Sequence, residues 1–200
     1  VQKVQGKLIH ISTDYVFDGN NLLPYKESDP VSPIGVYGKT KRAGELAVIN
    51  SDIDALVIRT SWLYSAYGNN FVKTMLKLGH DRDELGVIFD QVGTPTNASD
   101  LAKTCLDILS DKSSENISAN GKIYHYSNEG VASWYDFATA IMELGSLDCK
   151  VRPIETKDYP TPAKRPHYSV LNKTKIKTDF NIEIPYWRDS LEVCIQKLNY

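Results

Sequence analysis

The chain has 200 residues, with 23 Lys plus Arg against 25 Asp plus Glu, a formal net charge of −2 and 42% hydrophobic residues. That is ordinary globular composition, long enough to bury a core without metals or disulfides. The near-neutral balance speaks against a nucleic-acid or anionic-membrane surface, and no apolar run approaches the ~20 residues of a membrane span.

In chain order, Lys7 to Ser12 reads as a strand, and Ile34 to Ile49 as a helix with Tyr37, Ala43, Leu46, Ala47 and Ile49 as inward positions. Ala55 to Thr60 is a second strand, Asn70 to Leu78 a helix and Gly86 to Asp90 a strand. A helix from Ser99 to Leu109 opens on a Ser99/Asp100 cap. Lys122 to Ser127 is a strand, and Ser133 caps a helix running to Leu144. Pro153, Pro160, Pro162 and Pro166 predict a long extended connection, and a last amphipathic helix spans about Tyr186 to Leu198. The polar stretch from Asp111 to Asn120 is the expected mobile surface loop. Alternating strands and helices imply an α/β fold with a parallel sheet. Cys105, Cys149 and Cys194 are an odd set without CxxC spacing, which fits buried thiols in a reducing, cytoplasmic setting. His10, His80, His125 and His167 are dispersed, so metal ligation is not expected.

Three segments carry chemistry together. Ser12-Thr13-Asp14-Tyr15-Val16-Phe17-Asp18-Gly19 follows the first strand, at the carboxyl end where open α/β sheets bind ligands. Tyr37 and Lys41 are four apart, on one helical face. Arg59-Thr60-Ser61-Trp62 closes the next strand. A free phenol keeps its proton to about pH 10, and an adjacent ammonium favours the phenolate. With a threonine hydroxyl nearby, such a pair can polarise a ketone and protonate the oxygen that reduction creates. A core tyrosine and a solvated lysine are the bland alternative, and YxxxK alone does not exclude it. By the same standard Trp62 reads as a core aromatic and Asn70 as a helix cap. Gln91 reads as part of a glycine-turn loop, Arg165 as a surface arginine, and Trp134 and Trp187 as packing residues.

STDYVFDG, YGKTKRAGE, RTSWLY, NNFV, DQVGTPT and TPAKRPHYSVL occur in this order from Lys7 onward. On these motifs the chain resembles the dTDP-4-dehydrorhamnose reductases, members of the extended short-chain dehydrogenase/reductase superfamily. The resemblance implies reduction of the 4-keto group of dTDP-4-dehydro-L-rhamnose with NADPH or NADH. It puts Thr13, Tyr37 and Lys41 in the catalytic positions, with Tyr37 and Lys41 also reaching the cofactor. Asp14, Tyr15 and Trp62 fall near the sugar, and Asn70, Gln91 and Arg165 towards the nucleotide and its phosphates.

A glycine-rich turn after a strand occurs nowhere in the 200 residues. The expectation is therefore a Rossmann-like parallel sheet lacking its N-terminal βα units, plus a small C-terminal α/β substrate-binding region, matching the C-terminal two-thirds of such an enzyme. The sheet and its helices should take about 1–65 and 85–130, and the substrate-binding region about 66–84 and 131–200. Weak cofactor binding by these residues alone is expected, with a homodimer as a possible assembly. Among related activities, a 4,6-dehydratase would need a second carboxylate after Asp14, where Tyr15 stands instead. An epimerase is harder to exclude by chemistry, though its strand-end motif normally lacks the DYVFDG run. A non-catalytic regulatory subunit similar to methionine adenosyltransferase beta is the alternative from another class.

Overall fold

The computed structural model describes residues 1–4, 6–110, 122–161 and 165–198. In chain order the elements are β1 (Leu8–Thr13), α1 (Val36–Ile49), β2 (Ala55–Thr60), β3 (Leu63–Tyr64), α2 (Phe71–Asp81), β4 (Glu84–Ile88), β5 (Val92–Gly93) and β6 (Thr96–Asn97). They continue with α3 (Ala98–Ser110), β7 (Ile123–His125), β8 (Ala132–Ser133), α4 (Trp134–Leu144), β9 (Lys150–Ile154), α5 (Thr174–Phe180) and α6 (Trp187–Gln196). The segment from Asp111 to Asn120 lies outside the described residues.

Strands β1, β2 and β7 form a parallel sheet in the order β1-β2-β7, with Thr13 level with Thr60. Every residue of β2 is buried, as expected of a parallel strand covered on both faces. Leu56, Ile58, Tyr124 and Tyr126 pack with Leu101 and Ile108 of α3 and Ile176 of α5. A second core joins α2, α4 and α6 through Val72, Leu76, Phe137, Ile141, Leu191 and Ile195. Helix α4 begins at the Ser133 cap, as its sequence predicts, and Asp136 completes a capping box with it.

Several elements differ from the sequence reading. The proline-rich connection begins with a strand: β9 pairs in parallel with β4, and Pro153 stands opposite Val87. An edge strand tolerates a proline because its outer N–H needs no partner. β4 and β9 form their own two-stranded sheet beside the second core, so residues 84–88 do not extend the β1-β2-β7 sheet. Helix α3 starts one residue earlier than read, and Asn97 is its cap, accepting from the Ser99 N–H at 2.9 Å. Asp100 is instead drawn to Asn128 and Ser190. Helix α5 is additional, ending on Asn181 in the left-handed region (φ 49°).

The inward face of α1 is the largest correction. Tyr37, Ala43, Leu46 and Ala47 are exposed, whereas Gly38, Glu45 and Val48 are buried and Lys41 is half-buried. Hydrophobic periodicity cannot find a face whose central residue is a carboxylate. Glu45 goes inside because Arg59 and Ser12 satisfy it there.

Candidate functional site

Thr13 ends β1, and residues Asp14–Val16 turn at once into a single 3-10 turn capped by its hydroxyl, which accepts from the Tyr15 N–H at 3.2 Å. The first turn of α1 lies directly on this turn. A Cβ at position 38 would collide with the Tyr15 carbonyl, so only glycine permits the approach. Tyr37 is thereby brought edge-on to Tyr15, ring centroids 5.7 Å apart. One turn further on, the Lys41 ammonium donates to the Ile11 carbonyl at 2.6 Å. Thr13, Tyr15, Tyr37 and Lys41 thus meet where β1 ends and α1 begins.

Below them sits a buried ionic cluster that sequence reasoning missed. Arg59 grips Glu45 with two parallel bonds of 2.9 Å, from Nε to Oε1 and from a terminal nitrogen to Oε2. The Ser12 hydroxyl donates to Glu45 at 2.6 Å and Arg42 at 2.8 Å. Burial alone would raise the Glu45 pKa, but these donors hold it below the ordinary carboxylate value. His125 is fully buried, and desolvation reinforced by Arg59 pushes its pKa down to about 3. The neutral ring donates from Nδ1 to the Tyr25 carbonyl at 3.0 Å, leaving Nε2 to face Arg59. The signal in the sequence was Glu45 itself, four residues after Lys41 and on its face.

Asp14 is buried (3% exposed), and desolvation pushes its pKa up to about 7, with the Thr13 and Ser169 hydroxyls opposing more weakly. Thr13 donates to one carboxyl oxygen at 2.9 Å, while the other is buried without a partner. Tyr15, half-buried beside Asp14, is pushed up to about 12 and keeps its phenolic proton.

Trp62 follows β2 with a left-handed backbone, φ 47°. Its indole stacks face to face on Trp134, centroids 3.6 Å apart at 8°. It also runs so close to Gly93 that a Cβ there would lie 2.7 Å from it and 2.5 Å from the Ser169 hydroxyl. Trp134, Phe71, Met75, Arg82, Tyr159 and Arg165 help line a cavity of about 510 Å³. Trp134, read as packing only, is therefore a cavity wall. Arg165 is set by its neighbours: Gly19 packs on Pro166, and its carbonyl accepts from the Tyr168 N–H at 3.1 Å. The arginine's charge reaches Tyr15 and opposes the rise in its pKa.

Asn70 and Gln91 both bond within the protein. Asn70 caps α2, accepting from the Lys73 N–H at 3.2 Å and donating to the Ser65 carbonyl at 2.7 Å. The bland reading accounts for its side chain, which lines a separate depression. Gln91 is buried and donates to the Thr156 hydroxyl at 3.1 Å, tying the turn after β4 to the segment after β9.

Against known families, the RmlD substrate binding domain matches residues 1–200. The chain belongs to that family. Spore coat polysaccharide biosynthesis protein SpsK of Bacillus subtilis is 42% identical over 98% of this chain and 66% of its own length. Among solved structures, a dTDP-4-dehydrorhamnose reductase of Clostridium acetobutylicum superposes with TM-score 0.90 at 42% identity, over all of this chain and 68% of that one. A dTDP-4-dehydrorhamnose reductase of Bacillus anthracis in complex with NADP gives 0.89 at 36%, over 98% and 67%. The chain spans just under two thirds of the length of the first curated relatives it matches. The RmlD domain here is thus an α/β chain with a Rossmann-like parallel sheet, as its sequence implies.

Proposed function

We propose that this RmlD domain carries the substrate-binding and proton-donating part of an NAD(P)H-dependent reductase that converts dTDP-4-dehydro-L-rhamnose to dTDP-L-rhamnose. The observation carrying this reading is the gathering of Thr13, Tyr15, Tyr37 and Lys41 where β1 ends and α1 begins, and a cavity lined by Trp134, Phe71 and Arg165 supports it. A reduced nicotinamide, when bound, supplies the hydride to C4 of the sugar. Tyr37 then gives its phenolic proton to the C4 oxygen, completing the hydroxyl, and is reprotonated from solvent, which already reaches it. Lys41 spends one proton on Ile11, leaving two for the Tyr37 oxygen and for cofactor ribose hydroxyls.

Thr13 orients the carbonyl, and Asp14 decides how. A protonated Asp14 can donate to the Thr13 oxygen, which frees the Thr13 proton for the substrate oxygen. Arg165 suits the diphosphate, since a planar guanidinium can bond two oxygens at once. Trp62 and Trp134 supply the apolar wall for the sugar. The Tyr37–Lys41 end fits the nicotinamide-ribose part of the cofactor. The 200 residues hold no glycine-rich turn after a strand for its diphosphate.

The test joins this chain to a glycine-rich nucleotide-binding segment of a relative and follows NADPH consumption. Consumption should require a dTDP-4-keto-sugar, and Tyr37→Phe should remove most turnover with nucleotide-sugar binding nearly intact. Unchanged turnover in that variant removes Tyr37 from the proposal. By themselves the 200 residues should bind NADPH weakly or not at all, and micromolar affinity in a titration would contradict that.

A further inference from the structure

We infer that Trp134 is a positioning residue: by stacking on Trp62 it holds that indole in the one orientation from which it can meet the sugar. The inference rests on the proposed placement of Trp62 at the substrate.

Trp62 has a backbone conformation that a bulky L-residue adopts only when its surroundings impose it. Those surroundings are few and identifiable. Trp134 covers one face of the ring in near-parallel contact. Gly93 leaves room for the indole edge, and a Cβ there would lie 2.8 Å from its ring nitrogen. Ser61, just before it, is anchored through its hydroxyl to the Thr94 carbonyl at 2.8 Å, and the Trp62 carbonyl accepts from the Thr96 N–H at 3.1 Å. The backbone is therefore fixed on both sides, while the face of the ring is held by the stack on Trp134.

Trp134 is itself well held. It is the first residue of α4, between the Ser133 and Asp136 of the capping box, and Phe71 packs at 51° against its ring with centroids 4.7 Å apart. A rigid helix start thus sets one indole, which sets the second. Because Trp134 also lines the cavity, its loss could act on the nucleotide directly, and the experiment separates the two effects.

Wild type, Trp134→Leu and Trp134→Phe are compared as the 200-residue chain. Calorimetric titration gives affinities for dTDP and for dTDP-rhamnose, and far-ultraviolet circular dichroism detects the exciton couplet of stacked indoles. The expected result for Trp134→Leu is loss of the couplet, about a tenfold drop in the preference for dTDP-rhamnose over dTDP, and unchanged dTDP affinity. Trp134→Phe, which keeps a flat ring, should recover most of that preference. A lost couplet with full preference would overturn the inference, as would an equal fall in both affinities, which would make Trp134 a direct nucleotide contact. If wild type itself does not distinguish the two ligands, the proposed function fails first and takes this inference with it.

Discussion

Beneath α1, two guanidiniums and a hydroxyl hold one carboxylate; beneath Trp62, the contacts are rings on rings. Each contact on the first side is directional and ionic, with Arg59 and Glu45 at most 1% exposed and their bonds all between 2.6 and 2.9 Å. On the second side Trp62, Trp134, Phe71, Phe137 and Trp187 tile against each other at varied angles. The groups assigned to proton transfer lie on the directional side, where an ångström of drift would matter. The groups assigned to recognition lie on the side that tolerates small adjustments.

This contrast is most directly broken at Glu45. Glu45→Ala leaves Arg59 buried and unpaired and should cost about 3–5 kcal/mol in urea unfolding, whereas replacing both partners by methionine should cost far less. A cost under about 1 kcal/mol would show that the pair does not hold α1 in place.

The two titrating groups sharpen the comparison next. Asp14 has its folded pKa raised to about 7, so it removes stability as pH rises from about 4 to 7. His125 has its folded pKa lowered to about 3, so it removes stability as pH falls from about 6.5 to 3. Each effect is on the order of 4 kcal/mol, and in the overlap they oppose each other. Wild-type stability should therefore change little from these groups between pH 4 and 6.5. Asp14→Asn should expose a steep loss on acidification, and His125→Asn a loss on alkalinisation, both read from denaturation midpoints across that range. Parallel profiles in all three proteins would contradict the assignment.

On the aromatic side, Gly93→Ala forces a methyl against Trp62 and Ser169 and should destabilise by about 1–3 kcal/mol. It should also weaken the indole couplet, because the ring must move. Smallest of all, Ser133→Ala removes the α4 cap and should cost about 1 kcal/mol in thermal unfolding.

Much of the candidate site was legible because its residues sit at positions that local rules fix. Thr13 falls at a strand end, Tyr37 and Lys41 one turn apart on α1, and Ser133 before α4, and each reading needs only a period or a cap. Asn70 is legible the same way, as the cap of the helix it opens. Trp134 shows the limit of residue type, because an aromatic at a helix start reads as packing until its partner ring is known.

By itself the sequence determined the alternating α/β order, the Tyr37–Lys41 spacing and the family, since these depend on neighbours a few residues apart or on motifs in order. Only the tertiary structure decided that α1 turns a carboxylate inward, that Asp14 is sealed from water, and that β9 pairs with β4. The physical reason is that burying a charge or pairing an edge strand depends on which distant group arrives to satisfy it. For Glu45 that group is Arg59, fourteen residues away on another strand. For β9 it is a strand more than sixty residues earlier in the chain.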